Sequence, residues 1–280
     1  MKIIYFILTT LLSLPVFGQI QQDVNKTTGT ESNAINDIDS IRFDPGQTQM
    51  QIILNNGSAF IHSISDIDNV TFSGQIGVWP PGTVHCGIPT AIVEVTNPST
   101  GKIWMDRNLG ATQVATSSTD ANSYGDLYQW GRRSDGHQCR TSPTTSTLSS
   151  TDQPGHGDFI LAQNNPGDWR SPQNVNLWQG VSGVNNPCPS GYRLPTDNEL
   201  DAERLSWSTN NGAGALASPL KLPLAGFRSS SNGSLSTAGG NYWSNTVSSF
   251  GLRSLLFSSN VAGVNTNFRA NGYSVRCLKD

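Results

Sequence analysis

Charge is what this chain of 280 residues has least of. Only 13% of its residues are Asp, Glu, Lys or Arg, and the formal net charge is −3. A chain so weakly charged sets up no basic field, which excludes nucleic acid and anionic membrane surfaces as expected partners. Long apolar runs are scarce too: past the first twenty residues none approaches the length of a membrane span. No Cys-x-x-Cys occurs, and His62, His85, His137 and His156 are scattered without ligand spacing, so no metal site is expected. A Gly-x-Ser-x-Gly elbow, a His-Glu-x-x-His pair and a phosphate-binding Walker loop are all absent. The residues therefore call for no cofactor and assign no catalytic group.

Small polar and turn-forming residues are abundant, with 28 Gly and 15 Pro. Seven Trp, ten Phe and six Tyr set the chain apart from a disordered low-complexity sequence, because they supply apolar area for a core. The reading is a turn-rich, β-rich fold with long ordered loops.

Residues 1–18 have the pattern of a cleaved export signal: Lys2, an apolar core from Ile3 to Leu14, and Val16-Phe17-Gly18 ahead of Gln19. No cysteine follows that site, so a lipid anchor is not expected, and the mature protein is expected to be secreted or held at the cell surface. Four cysteines in an exported chain make two disulfides plausible, with three pairings open in principle.

Residues 19–35 show no apolar period and read as a flexible lead. A small β-repeat module follows over 36–74. Asp37-Ile-Asp-Ser-Ile-Arg-Phe43 recurs as Asp66-Ile-Asp-Asn-Val-Thr-Phe72, and Asn55-Asn-Gly57 between two apolar runs is a hairpin signal. The paired Asp residues read as Asx turns rather than calcium ligands, since the oxygen spacing of a calcium loop is missing. Residues 75–84, with Trp79-Pro80-Pro81-Gly82, read as a linker.

In the main region, Thr90 to Val95 and Lys102 to Met105 form a hairpin over Asn97-Pro-Ser-Thr-Gly101. Tyr124-Gly-Asp-Leu-Tyr-Gln-Trp-Gly131 directs its rings into the core in preference to a sugar-stacking surface. Residues 132–185 are long, polar and aperiodic; beside a reading of solvated loop histidines stands an acid–base or metal site there on His137, Asp152, His156 and Asp158.

The densest stretch is 186–199. Pro187, Pro189 and Pro195 hold it extended or turned. Thr196 and Glu199 make a capping box, so a helix starts at Asp197 and runs to about Trp207, and Arg193 points a charge inward at a carboxylate. Leu220 to Leu224 reads as a strand. A β-meander closes the chain, with Arg253 to Phe257 in the middle, a turn over 260–267, and a last strand over 269–278.

Six runs share an order with a known family: Gly101-Lys-Ile-Trp-Met-Asp-Arg-Asn-Leu-Gly-Ala111, Tyr124 to Gly131, Gly191-Tyr-Arg-Leu-Pro-Thr-x-x-Glu199, Leu222-Pro-Leu-Ala-Gly226, Tyr242-Trp-Ser244 and Tyr273-Ser-Val-Arg-Cys277. Over residues 85–280 the chain resembles the Fibrobacter succinogenes major paralogous domain. That family is similar to the C-type-lectin-like fold of sulfatase-modifying factors. The resemblance implies an α+β fold, with mixed β-sheets, few short helices and long ordered loops. It also implies the pairing Cys188 with Cys277, which leaves Cys86 for Cys139. Sulfatase-modifying factors use closely spaced cysteines near their C-terminus; Cys277 stands alone there, so their oxidase activity does not carry over. The Glu-Pro-Asn and Trp-Asn-Asp sugar motifs of C-type lectins are also missing.

The expected function is that of an exported, non-catalytic binding or adhesion protein with a glycan or protein ligand. The alternatives are a structural surface or appendage component and, behind it, an enzyme using the 132–185 loop. The closing frame resembles the ligand-binding end of diversity-generating-retroelement variable proteins. By that resemblance the contacts come from Leu252, Ser254, Leu256, Asn265, Asn267 and Phe268. Were these residues core instead, the binding face would lie in the 132–185 loop.

Overall fold

The computed structural model describes residues 21–26, 29–34, 38–43, 48–54, 59–73, 79–248 and 251–280. The export pattern at 1–18 lies outside the described residues. The chain divides into two units, Met1–Gly77 and Val78–Asp280. Two disulfides form, Cys86–Cys139 and Cys188–Cys277.

The first unit holds β1 (Gln21–Lys26), β2 (Gly29–Ala34), β3 (Ile38–Phe43), β4 (Gln49–Leu54), β5 (Ala59–Ser63) and β6 (Ile67–Ser73). They form two antiparallel sheets, ordered β2-β1-β6 and β3-β4-β5. Strands β4 and β5 pair antiparallel, as the expected hairpin requires, while its turn at Asn55-Asn-Gly57 lies outside the described residues. Strand β4 alternates as its apolar spacing dictates, with Met50 and Ile52 buried and Gln51 and Ile53 less so. Within the stretch 19–35, expected to be a flexible lead, the described residues form β1 and β2, which pair antiparallel, and β1 runs along β6 with Val24 opposite Val70. Ladder bonds satisfy the backbone whatever the side chains, so polar residues without an apolar period still form strands there.

The second unit begins before residue 85, which corrects the expected linker. Val84 N–H donates to Ser134 O at 2.7 Å, Thr83 N–H to Pro80 O at 3.0 Å, and Trp79 packs partly buried on the core. In chain order come β7 (Glu94–Thr96), β8 (Ile103–Met105), β9 (Tyr128–Gln129), β10 (Thr144–Thr145), β11 (Phe159–Ile160), β12 (Tyr192–Arg193), α1 (Asp197–Leu205) and α2 (Gly212–Ala217). Then follow β13 (Phe227–Arg228), β14 (Leu235–Ser236), β15 (Gly240–Ser248), β16 (Gly251–Phe257), β17 (Ala262–Asn267), β18 (Gly272–Tyr273) and β19 (Leu278–Lys279). The sheets run β12-β19-β8-β7, β14-β13-β18-β9, β10-β11 and β15-β16-β17. The unit is thus mostly sheet with few short helices, as expected.

The meander departs from expectation in its details. The third strand is β17, which occupies most of the span read as a turn. Residues 269–278 form only short ladders, because their carbonyls serve different partners: Val275 O accepts from Leu109 N–H at 3.0 Å and Cys277 O from Met105 N–H at 2.9 Å. Leu220 to Leu224 is irregular rather than a strand.

The sheet β15-β16-β17 stands between two apolar clusters. Trp243 and Leu252 belong to one, with Trp130, Trp169, Trp178, Tyr273 and both cysteines of the Cys188–Cys277 disulfide. Tyr242, Leu255 and Phe257 belong to the other, with Trp104, Leu200, Trp207 and Leu278. Trp243 Nε1 donates to Tyr128 O at 2.7 Å and Trp130 Nε1 to Ser244 O at 2.9 Å, whereas the buried Trp104 indole N–H has no partner among the described residues. Of the rings in Tyr124–Gly131, Tyr128 and Trp130 are buried in the core and Tyr124 is half-buried.

Candidate functional site

The 132–185 segment is ordered, and Arg132 organises it. Its guanidinium is completely buried under Trp169, 5.6 Å from the ring centre. It donates to Gln129 Oε1 at 2.9 Å, Asp158 O at 2.9 Å, His156 O at 3.0 Å and Asp135 Oδ2 at 2.8 Å. A planar cation with five donors can hold several loop carbonyls at once, which the lysine ammonium does less well. Phe159, Ile160, Trp169 and Trp178 then anchor the segment in the core.

Between these anchors the segment folds around a cleft of about 360 Å³. Its walls are the strand ends after β10 and β11 and the turn at 164–173. Leu161 N–H donates to Thr145 O at 2.7 Å, and Ser171 N–H donates to Ser149 O at 2.9 Å, tying wall to wall. The turn closes with Gly167 N–H on Asn164 O at 2.7 Å. Gly167 has φ +65°, and a Cβ there would sit 2.4 Å from Phe268 Cγ, so the Phe268 ring can lie on this turn only because the residue is glycine.

Asp168 and Arg170 mark the inner end of the cleft. Asp168 is buried and pairs with Arg269 at 3.2 Å; burial raises its carboxyl, against the opposing pull of the Arg170 N–H and of Arg269. Arg170 pairs with Asp152 at 2.8 Å. At the outer end lie the exposed amides Asn164 and Asn165, whose side chains bond to no other described residue, and Leu148, 43% exposed.

The contacts expected from the closing frame do not form one face. Leu252 and Ser254 are fully buried, because the sheet has core on both sides and leaves no solvent face in its middle. This corrects their placement as exposed contacts. Asn267 is half-buried and structural: its Nδ2 donates to Ser254 Oγ at 2.8 Å and its Oδ1 accepts from Tyr273 OH at 2.8 Å. Leu256 and Asn265 line a different hollow of about 410 Å³, beside Phe227 and Val261. Phe268 is 46% exposed and adjoins the loop cleft through Gly167. The cleft residues Leu148, Asn164 and Asn165 escaped the sequence reading; the one signal was the turn-forming Asn164-Asn-Pro-Gly167 just before the pinned Asp168-Trp-Arg170.

The acid–base constellation of the 132–185 segment does not assemble. His137 is fully buried; its Nδ1 lies 2.6 Å from Asp135 Oδ1 and its Nε2 accepts the Gln129 N–H at 3.0 Å. Both ring nitrogens are thus occupied, and burial, with Arg132 adding to it, lowers the imidazole to about 4. His156 is exposed, 3.7 Å from Asp158, while Asp152 serves Arg170. Among the described residues no group of three or more His, Cys, Asp or Glu side chains could hold a metal ion. Nor is any helix among them long and apolar enough to cross a membrane.

At the turn into α1 the expected residues do converge. Thr196 Oγ1 accepts from Glu199 N–H at 3.2 Å and Glu199 Oε2 accepts from Thr196 N–H at 2.8 Å. Arg193 grips both Glu199 oxygens at 2.8 and 2.9 Å and reaches Asp280 at 2.7 Å.

No family model, curated protein or solved structure matches this chain.

Proposed function

We propose that this chain is an exported, non-catalytic binding protein that takes a glycan in the 146–173 cleft. The observation that carries the reading is the pairing of free amide groups on Asn164 and Asn165 with apolar Leu148 and Leu161 around one small cavity. Planar amides suit neighbouring hydroxyls, and an apolar wall suits the C–H face of a sugar ring. Export is supported by the pattern of residues 1–18 and by two disulfides, which persist in oxidising compartments. Membership of the Fibrobacter succinogenes major paralogous domain family, with a C-type-lectin-like fold, belongs to the same proposal. It is supported by the way residues from the six matched runs, such as Met105, Trp130, Leu194, Leu222, Trp243 and Cys277, fill the two clusters of one unit.

The test is a glycan array with the mature protein and with N164A/N165A. The expected result is glycan binding that falls at least tenfold in the variant, at an unchanged melting temperature. Binding equal in both, or none to any glycan, removes the proposal; binding on a protein array alone moves it to a protein ligand.

A second reading, assembly into a surface layer or appendage, is favoured by β5. It lies at the edge of its sheet with Phe60 and Ile61 exposed. Oligomers that vanish on deleting residues 19–75 would support it, and a strict monomer would oppose it.

A further inference from the structure

A separate cavity, of about 300 Å³, opens between the Cys86–Cys139 disulfide and the turns at Gly110 and Gly125. It shares no lining residue with the loop cleft. Asp126 lines it and is only 7% exposed. Buried carboxylates ordinarily receive hydrogen bonds or a cation. Among the described residues nothing donates to the Asp126 carboxyl, and no cation stands within ion-pair distance of it. Burial pushes it up to about 7, with the more distant Arg140 charge pulling the other way.

The position is held from behind by Gly110. With φ +81°, its Cβ would lie 2.3 Å from Asp126 Cγ, so any side chain there would displace the carboxyl. Arg140 lines the same cavity. Its Nε donates to Gly125 O at 2.7 Å and its Nη2 to Ala225 O at 2.8 Å, which leaves Nη1 without a partner among the described residues. One anion and one cation thus border a single small space, too far apart to satisfy each other.

We propose that this cavity binds a small zwitterion, with Asp126 taking its ammonium group and Arg140 Nη1 its carboxylate. An ammonium has three protons to donate, and Asn122 and Thr141, also in the lining, offer further acceptors. A divalent metal ion fits less well. Calcium takes six to eight oxygens, Asp126 is the one acidic side chain in the lining, and Arg140 would repel it.

The experiment uses the full mature chain, ¹⁵N-labelled, with β-alanine as the probe and ethylamine and propionate as single-charge controls. The expected result is saturable movement of the Gly110, Gly125 and Asp126 amides with β-alanine, at least tenfold tighter than either control. Asp126→Asn keeps the shape of the side chain, and an uncharged group is what burial favours there, so the variant is expected to fold and to lose at least tenfold in affinity. Absence of saturable shifts up to the solubility of β-alanine overturns the inference. So does a control that binds equally well, or an Asp126→Asn protein that binds as the wild type does. Should that variant fail to fold, the comparison of the three probes on the wild type decides.

Discussion

Glu199 gathers more partners than any other carboxylate at the start of α1. Its side chain receives Arg193, the Thr196 N–H and Lys102 Nζ, the last at 3.2 Å. Burial alone would raise its carboxyl, but the Arg193 bond, the Thr196 N–H and the two positive charges outweigh it and hold the group at about 2. A depressed carboxylate stabilises the fold above its unfolded value near 4.3, and that contribution fades as the pH falls toward the folded value. Thermal melts should therefore show a loss between about pH 5 and pH 2 that is smaller in Glu199→Gln, where other depressed carboxylates such as Asp135 still contribute. At neutral pH, Thr196→Ala is expected to cost about 1 kcal/mol as a lost cap. Glu199→Ala is expected to cost about 2 kcal/mol, between the small worth of a surface pair and the penalty of stranding a buried charge. Equal, sub-kilocalorie losses in both would show that Arg193 is held by Asp280 alone. The capping box was legible because its partners are three residues apart. Lys102 and Asp280 were not, since nothing local in the sequence links residues brought together by β12, β19 and β8.

At the scale of the element, the sheet β15-β16-β17 shows how a period-2 reading goes astray. Leu252, Ser254 and Leu256 alternate with Arg253, Leu255 and Phe257, and such a pattern names two faces without saying whether either meets water. Here residues of both faces enter apolar clusters, the arrangement in which strands read as near-continuous apolar runs. The ordering of 132–185 was hidden for a different reason. Arg132 bonds the backbone carbonyls of His156 and Asp158, and carbonyls carry no sequence signature. The burial difference within the expected site is measurable. Leu252→Ser should cost about 4 kcal/mol in urea unfolding, from the lost apolar volume and a hydroxyl placed in the core. Phe268→Ser, on a half-exposed ring, should cost about 1 kcal/mol. Similar costs for the two would mean that β16 has a solvent face after all.

For the whole molecule the constraint lies in covalent ties that are consecutive rather than nested. Cys86–Cys139 spans a separation of 53 residues and Cys188–Cys277 one of 89, and the two loops do not overlap. The first unit, Met1–Gly77, contains no cysteine and carries none of this constraint. Composition signalled an oxidised, loop-rich chain, but the pairing itself followed from the family resemblance, since four cysteines allow three connectivities. Chain-entropy models give about 4 kcal/mol for closing the shorter loop and about 4.6 kcal/mol for the longer. The surroundings separate the two further. Cys188 and Cys277 sit in the main cluster, at 1% and 0% exposure, beside the short ladder where β19 pairs with β12 and β8. Replacing both with Ala therefore opens space in the core as well as freeing the chain, while replacing Cys86 and Cys139 chiefly frees the chain. Because the loops are separate, the quadruple variant should lose close to the sum of the two paired losses. Denaturant unfolding of the three variants tests this, with the larger loss expected for C188A/C277A. A loss below about 1 kcal/mol for that pair would show that β12, β19 and the turn at 186–199 hold together through packing alone, and that the disulfide is dispensable to the fold.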